Sequence, residues 1–161
     1  MWLIFFLIGV IGQIGNEEAG SQPQVTEAAP PPAGELVAEP QEPTGRFTTA
    51  AEIRPILQAT RGNWVAVRDF NGQDLVYFTH LLAWRCGLVQ LRYAVNGGPE
   101  AVFPLPQCHE DEAAPNALKP EDGLPYVGFS QGYVQRIDVT IVYDDLVEER
   151  ISVDRSGALI P

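Results

Sequence analysis

Basic residues are scarce in this sequence. Ten Lys and Arg stand against 21 Asp and Glu, which gives a net charge of −11 over 161 residues. An acidic surface repels phosphate backbones, so nucleic acid is not expected as a partner. The same charge opposes adhesion to anionic lipid, so membrane contact is expected through the N-terminal segment alone. The length suits one domain of ordinary size.

Cysteine and histidine are equally scarce, with two of each. Zinc sites usually contain closely spaced ligand pairs, and here only Cys108 and His109 are neighbours. A metal site formed by Cys86, Cys108, His80 and His109 is one interpretation. The favoured interpretation is a disulfide between Cys86 and Cys108, formed in an oxidising compartment. No cofactor is expected.

The sequence also lacks a convincing catalytic set, and we expect no enzymatic activity. Residues 128–132 match the G-x-S-x-G pattern of hydrolases around Ser130. That nucleophile elbow requires a helix after the serine and a histidine later in the chain. Here the following residues alternate like a strand, and no histidine follows Ser130. A small hydrolase acting through Ser130 is therefore the most remote alternative.

The N-terminus carries an apolar run, residues 1–15, that contains no acidic or basic residue. As a helix it would be roughly 21 Å long, shorter than a hydrocarbon core of about 30 Å. This length favours the apolar region of a signal peptide, although no Lys or Arg precedes it and the cleavage site at 19–21 is imperfect. Residues 1–21 are predicted to be a signal peptide or a marginal membrane anchor, with the N-terminus in the cytoplasm.

A polar linker follows in residues 22–45. It is rich in Pro and Ala, with three consecutive prolines at 30–32 and no basic residue. Such a composition cannot bury enough apolar surface to offset its ordering entropy. We therefore predict a disordered acidic linker at 22–45 and a folded domain at 46–161.

Residues 84–109 are the most informative stretch, because they predict a hairpin. The Asn-Gly-Gly sequence at 96–98 separates two alternating apolar runs, and a tight turn needs residues that tolerate positive φ. With a three-residue loop, Leu91 faces Phe103 and the larger apolar side chains share one face.

The same register places Cys86 opposite Cys108, close enough for a disulfide after a small adjustment. Pro104 and Pro106 have the same parity, and neither can donate to a ladder. The strand at 101–107 is therefore predicted to lie at a sheet edge.

Two further hairpins are predicted on either side of this one. Strands at 63–70 and 74–82 flank an Asn-Gly turn, and strands at 133–143 and 147–153 flank an Asp-Asp turn. Residues 110–131 contain three prolines and few apolar residues, which predicts a long loop.

One short helix is predicted at 55–61. Thr49 and Glu52 have the spacing of a capping box, but Pro55 would lie past the first turn of a helix that began at Ala50. The predicted fold is mainly β: an antiparallel meander of about six strands in three hairpins, forming a sandwich or a partly open barrel.

Three places are candidates for binding. Residues 109–112, the acidic loop, could contact a divalent cation, although consecutive loop residues rarely converge on one ion. His80 is expected near the core in a hydrogen bond, with a ligand or acid–base role as the alternative. Trp84 is expected in the core, with ligand or partner contact as the alternative. The acidic loop consists of His109, Glu110, Asp111 and Glu112.

The segments NWVAVRDFNGQDLVYFTHLLAWRCGL, RYAVNG and PLPQCHED together resemble small exported proteins of unknown function from alphaproteobacteria. The resemblance covers most of residues 46–161 and rests on no catalytic signature. It implies a location in the cell envelope and no particular activity.

These observations lead to two hypotheses. The first is a non-enzymatic envelope protein, either periplasmic, secreted or anchored to the inner membrane by its N-terminal segment. It would bind an unidentified envelope protein through an exposed sheet face or residues 110–131. The second is a module that binds a small ligand or divalent metal through His80, His109 and the acidic loop.

Overall fold

Seven antiparallel strands and one long helix account for most regular structure in residues 35–161, the part of the chain that this computed structural model describes. The mainly β prediction is confirmed, and the two sheets do not close into a barrel. The elements are α1 Ala50–Ala59, β1 Ala66–Phe70, β2 Gln73–Tyr77, α2 Thr79–Leu82, β3 Leu88–Val95, β4 Ala101–Phe103, β5 Tyr126–Ser130, β6 Arg136–Tyr143 and β7 Glu148–Asp154. Sheet A has the order β1-β2-β5, and sheet B has the order β4-β3-β6-β7.

The turn residues and the apolar alternation fix the strand registers. Asn71 and Gly72 both have positive φ, 53° and 75°, as a two-residue turn between right-twisted strands requires. Val67 pairs with Val76, as a two-residue turn at Asn71-Gly72 requires. In the last hairpin Ile137 pairs with Val153 and Val139 with Ile151, so their buried side chains share the inner face of sheet B.

The central hairpin also has its predicted register, because Leu91 pairs with Phe103. Strand β4 forms the edge of sheet B, as the two prolines indicated. The ladder is shorter than predicted and ends at Phe103, since Pro104 follows and cannot donate to a ladder.

The predicted start of the helix was wrong. Helix α1 begins at Ala50, with Thr49 as its N-cap, and it includes Pro55. The Thr49 hydroxyl accepts a hydrogen bond from the Glu52 N–H, and Ile53 and Leu57 are fully buried. The cap and the buried face therefore outweigh the hydrogen bond that proline removes.

Two other predictions need correction. The predicted loop 110–131 contains strand β5, and residues 79–82 form helix α2 instead of continuing a strand. The cause of the first error lies in strand β2. Its consecutive residues Leu75 and Val76 point to opposite faces of the sheet, and both are buried. Such a strand lies inside a sheet, and β5 supplies its second neighbour. There are thus seven strands where six were predicted.

One apolar core joins helix α1 to both sheets. Trp64 is fully buried in it and donates its indole N–H to the Leu57 carbonyl at 2.9 Å. Helix α1 passes so close to Gly87 that a Cβ there would lie 2.6 Å from Ile53 Cδ1. The glycine after Cys86 therefore allows the helix to approach the central hairpin.

Part of the predicted linker contacts the domain. The Glu39 N–H donates to the Asp144 carbonyl at 2.7 Å, and the Gln41 amide donates to the Asp144 carboxylate at 2.7 Å. The compact unit that contains them is Glu35–Pro161. The predicted signal peptide or anchor at 1–21 lies outside the described residues. Within residues 35–161 no helix has the length and apolarity needed to cross a membrane.

Candidate functional site

The disulfide between Cys86 and Cys108 holds the base of the site. Their Cα atoms lie 5.0 Å apart and the sulfurs are bonded, as the hairpin register predicted. Neither residue lies on a strand: Cys86 belongs to the short 3-10 helix Arg85–Gly87, and Cys108 follows the end of β4. The bond attaches the irregular segment 108–119 to the start of β3.

Arg85 fixes the same segment from inside the domain. Its side chain is fully buried, and its five N–H donors are well suited to a segment with many unpaired carbonyls. Burial lowers the pKa of Arg85, but a guanidinium stays protonated at every physiological pH. The groups within hydrogen-bond distance are the carbonyls of Leu82, Pro106, Gln107, Asn116 and Ala117 and the carboxylate of Asp122.

Asp122 completes this buried cluster. Its carboxylate accepts from the Lys119 N–H at 2.8 Å and contacts His109 Nε2 at 3.0 Å. The His109 hydrogen bond and the Lys119 N–H lower the pKa of Asp122, with a further contribution from the charge of Arg85. His109 therefore has a structural partner in this cluster.

The acidic loop does not gather its side chains around one point. Glu112 forms an ion pair with Lys119, whereas Glu110 and Asp111 are exposed. Among residues 35–161 no group of three or more His, Cys, Asp and Glu side chains is arranged to hold a metal ion. The metal-binding hypothesis therefore has no ligand cluster in this part of the chain.

An apolar groove lies beside the disulfide, and we call it the Trp84 groove. Its volume is about 590 Å³. Trp84 is half-buried at its base, and the Phe47 ring meets the Trp84 ring edge-on with 5.4 Å between centroids. Leu118 also lines the groove and is exposed. The groove is lined by Gly45, Arg46, Phe47, Ala83, Trp84 and residues 113–118.

Phe47 has an unusual backbone for an aromatic residue. Its φ is 58°, in the left-handed region that costs a residue with a Cβ about 1–2 kcal/mol. Two side chains hold it there: Asn116 donates to the Phe47 carbonyl at 2.8 Å, and Glu52 accepts from the Phe47 N–H at 3.2 Å. Phe47 is nevertheless 43% exposed, so burial does not explain the strain.

Asn116 links the groove to the disulfide. Its amide nitrogen binds Phe47, while its amide oxygen accepts from the Cys86 N–H at 2.9 Å. Its own carbonyl accepts from Arg85 at 2.6 Å. One residue thus connects the aromatic wall, the disulfide and the buried guanidinium, and the groove is preformed.

His80 and Ser130 lie elsewhere and have simpler roles. His80 contacts the Thr60 hydroxyl at 2.8 Å from helix α2, and burial lowers the pKa of its imidazole. This is the expected hydrogen bond, although the residue lies on a helix. Ser130 is exposed at the end of β5, and the two histidines of the chain contact Thr60 and Asp122. No imidazole in residues 35–161 is therefore hydrogen-bonded to Ser130.

Sequence reasoning gave Trp84 as a contact residue only as the alternative to a place in the core, and it did not consider Arg85, Phe47 and Asn116. A positive φ at 47 could not be read from the sequence, because Gly45 is the residue nearby that favours it. The sequence held one indication of the role of Arg85. The irregular segment after β4 needs hydrogen-bond donors for its buried carbonyls.

No family model matches the sequence, and no curated protein and no solved structure matches it significantly. The resemblance to exported proteins therefore stays a prediction. Function is inferred from the geometry of the Trp84 groove.

Proposed function

We propose that residues 35–161 form a non-enzymatic protein-binding domain of the cell envelope, and that a partner protein inserts apolar side chains into the Trp84 groove. The observation that carries the proposal is Phe47, an exposed aromatic ring held in a strained backbone. Strain that the surrounding structure maintains without burying the residue is typical of functional positions.

The composition of the groove supports this proposal. Aromatic side chains dominate the binding energy of protein interfaces, where they lie in well-packed central pockets. Trp84 and Phe47 form such a pair, and Leu118 and Pro115 extend the apolar surface. Because Asn116 and Arg85 already fix the walls, binding would require little ordering of the domain.

The proposed location follows from two features. A domain whose two cysteines form a disulfide suits an oxidising compartment such as the periplasm. The apolar residues 1–15 would direct the chain there, as a signal peptide or as an anchor in the inner membrane.

A photo-crosslinking experiment tests the proposal. Leu118 is replaced by the photoreactive amino acid p-benzoylphenylalanine in the full chain, expressed in its native cells. The control carries the same substitution at Val102, which is 58% exposed on strand β4 away from the groove lining. We expect one defined protein adduct from position 118 and none from position 102.

A second variant tells specific docking from chance contact. Phe47→Gly removes the ring, and glycine adopts φ near 58° without a Cβ penalty, so the fold is retained. The adduct from position 118 should disappear in this background. An adduct that persists without Phe47, equal adducts from both positions, or no adduct from 118 would each overturn the proposal.

A further inference from the structure

Resting on the proposed function, we propose that the segment bound by the Trp84 groove is basic as well as apolar: a bulky apolar side chain flanked by Lys or Arg. The groove selects the apolar side chain. The acidic loop that runs directly into its wall at residue 113 selects the flanking charge.

The charges of the acidic loop are only partly neutralised. Glu112 pairs with Lys119, while Arg46 in the groove wall binds the main-chain carbonyl of Glu112 and not its carboxylate. Glu110 and Asp111 are exposed, and neither forms an ion pair with any residue in 35–161. Two full negative charges therefore stand beside the apolar surface.

Further acidic groups lie close to these charges. Burial and the neighbouring charges of Asp144 and Glu110 raise the pKa of Glu39, which places Glu110 within electrostatic range of that carboxylate. The negative potential thus extends from the acidic loop toward the segment that leads into the Phe47 wall. A cation approaching from the side of the acidic loop would be attracted, with the Arg46 guanidinium in the groove wall as the opposing charge.

On the outer face of sheet B, acidic residues are paired with arginines of the domain. Arg92 there contacts Glu100 at 2.8 Å and Glu148 at 3.1 Å, and Arg136 contacts Asp138 at 3.0 Å. These carboxylates have internal partners, whereas Glu110 and Asp111 do not. The unneutralised acids next to the groove therefore fit an external cation.

This charge also decides between classes of partner. Anionic lipid headgroups and acidic peptides would be repelled, and an uncharged apolar segment would gain nothing from the acidic loop. A basic segment gains both association rate and specificity, and its cations need not leave water completely. The chemistry therefore fits a protein segment with alternating apolar and basic residues.

Fluorescence polarisation with three labelled peptides tests the inference on the oxidised full chain. The probes are Lys-Lys-Leu-Phe-Leu-Lys-Lys and the same peptide with Gln or Glu in place of every Lys. We expect the Lys peptide to bind about tenfold more tightly than the Gln peptide at low salt, with the Glu peptide weakest. The preference should shrink in 0.5 M NaCl, where the Debye length is only about 4 Å.

Charge-removing variants locate the preference. Glu110→Gln with Asp111→Asn should make the affinities for the Lys and Gln peptides nearly equal, without changing the affinity for the Gln peptide. The matched control, Glu100→Gln with Glu148→Gln, removes the same net charge from sheet B and should keep the preference. Phe47→Gly should abolish binding of every peptide.

The outcomes separate this inference from the proposed function. Equal binding of the Lys and Gln peptides, lost in Phe47→Gly, would overturn the charge inference and leave the groove as a docking site. Binding of none of the peptides would overturn it as well, and the crosslinking experiment would then decide the proposed function alone. Binding of phosphatidylglycerol vesicles that depends on Phe47 would assign the groove to a membrane instead.

Discussion

The domain contains two buried arginine–aspartate pairs, and they are built in opposite ways. Arg85 is completely buried and Asp122 is 6% exposed, whereas Asp74 is completely buried and Arg155 is 33% exposed. At the first pair the cation is at the centre and binds four carbonyls of the irregular segment 106–117 and that of Leu82 in helix α2. At the second the anion is at the centre, and it accepts from two backbone N–H groups as well as Arg155.

The difference shows what each buried charge does for the backbone. Segment 106–117 presents carbonyls to the interior, and a guanidinium offers five donors in one plane. The turn after β5 presents the N–H groups of Gly132 and Val134, at 3.0 Å each from Asp74, and a carboxylate offers only acceptors. In both places the charge type matches the unpaired backbone groups, and at Asp74 the Arg155 side chain contributes most to holding the carboxylate ionised.

Removing the first centre should have the largest effect. Arg85→Met keeps the length of the side chain but leaves five carbonyls and Asp122 without their donor. We expect the free energy of unfolding, measured with urea, to fall by about 3–5 kcal/mol. Arg85→Lys should recover only part of this, because an ammonium has three donors on a flexible stem. A methionine variant within about 1 kcal/mol of the wild type would contradict the role given to Arg85.

The disulfide should come next. Its cysteines are 22 residues apart, and replacing both by serine should cost about 3 kcal/mol in the chain-entropy model. Because Arg85 and the disulfide hold the same segment, their effects should deviate from additivity by more than about 0.5 kcal/mol. The disulfide and Asp74→Asn share no partner, so their effects should add. Additive effects of Arg85→Met and the loss of the disulfide would contradict the shared role of Arg85 and the disulfide. Non-additive effects of Asp74→Asn and the loss of the disulfide would contradict the independence of Asp74.

Asp74 should make stability depend on pH in acid. The hydrogen bonds from Arg155, with those from the Val134 and Gly132 N–H groups, hold the pKa of Asp74 far below its ordinary value. Below about pH 4 the unfolded state binds a proton at Asp74 that the folded state does not bind. The stabilisation by ionised Asp74 is therefore complete above about pH 4 and is lost as the pH falls. Asp74→Asn should lower the melting temperature by about 5–10 °C at pH 7. Its melting temperature should also fall less steeply between pH 4 and pH 2.

Asp144 should behave in the opposite sense and have the smallest effect. Burial raises the pKa of Asp144, and its Oδ2 atom has no hydrogen-bond partner within residues 35–161. Because this pKa is raised, the contribution of Asp144 to stability is complete below about pH 4. It declines as the pH rises through the pKa of Asp144 in the folded state. Asp144→Asn should therefore change the free energy of unfolding at pH 7 by less than about 1 kcal/mol. A large loss at neutral pH would show that the ionised form is stabilising, like Asp74.

The sequence was sufficient wherever structure depends on neighbours along the chain. Asn71-Gly72 predicted its own turn, and the alternation of apolar residues predicted the pairing of Leu91 with Phe103 and hence the disulfide. These features rest on local sterics and on a period of two residues. They do not require knowledge of distant parts of the fold.

The missed features all depend on distant partners. Strand β5 has a glycine at its centre and follows three prolines, and it forms a strand by pairing with the distant strand β2. The N–H of Ala50 at the start of α1 is bound by Asp144, 94 residues away, which offsets the unfavourable Pro55. Arg85 became important only because the chain returns to it twice, at 106–107 and at 116–117. Composition and periodicity do not show which distant segments will contact the same residue.

The presence of only two cysteines, joined across a local hairpin, also simplifies the biogenesis of the protein. A single intramolecular pairing exists, so maturation needs an oxidant but no isomerase to correct mispaired bonds. The two thiols flank the β3–β4 hairpin, and a hairpin can form on the microsecond timescale. The covalent link can therefore close before β5, β6 and β7 have folded, and the rest of the fold can assemble on a hairpin that is already fixed.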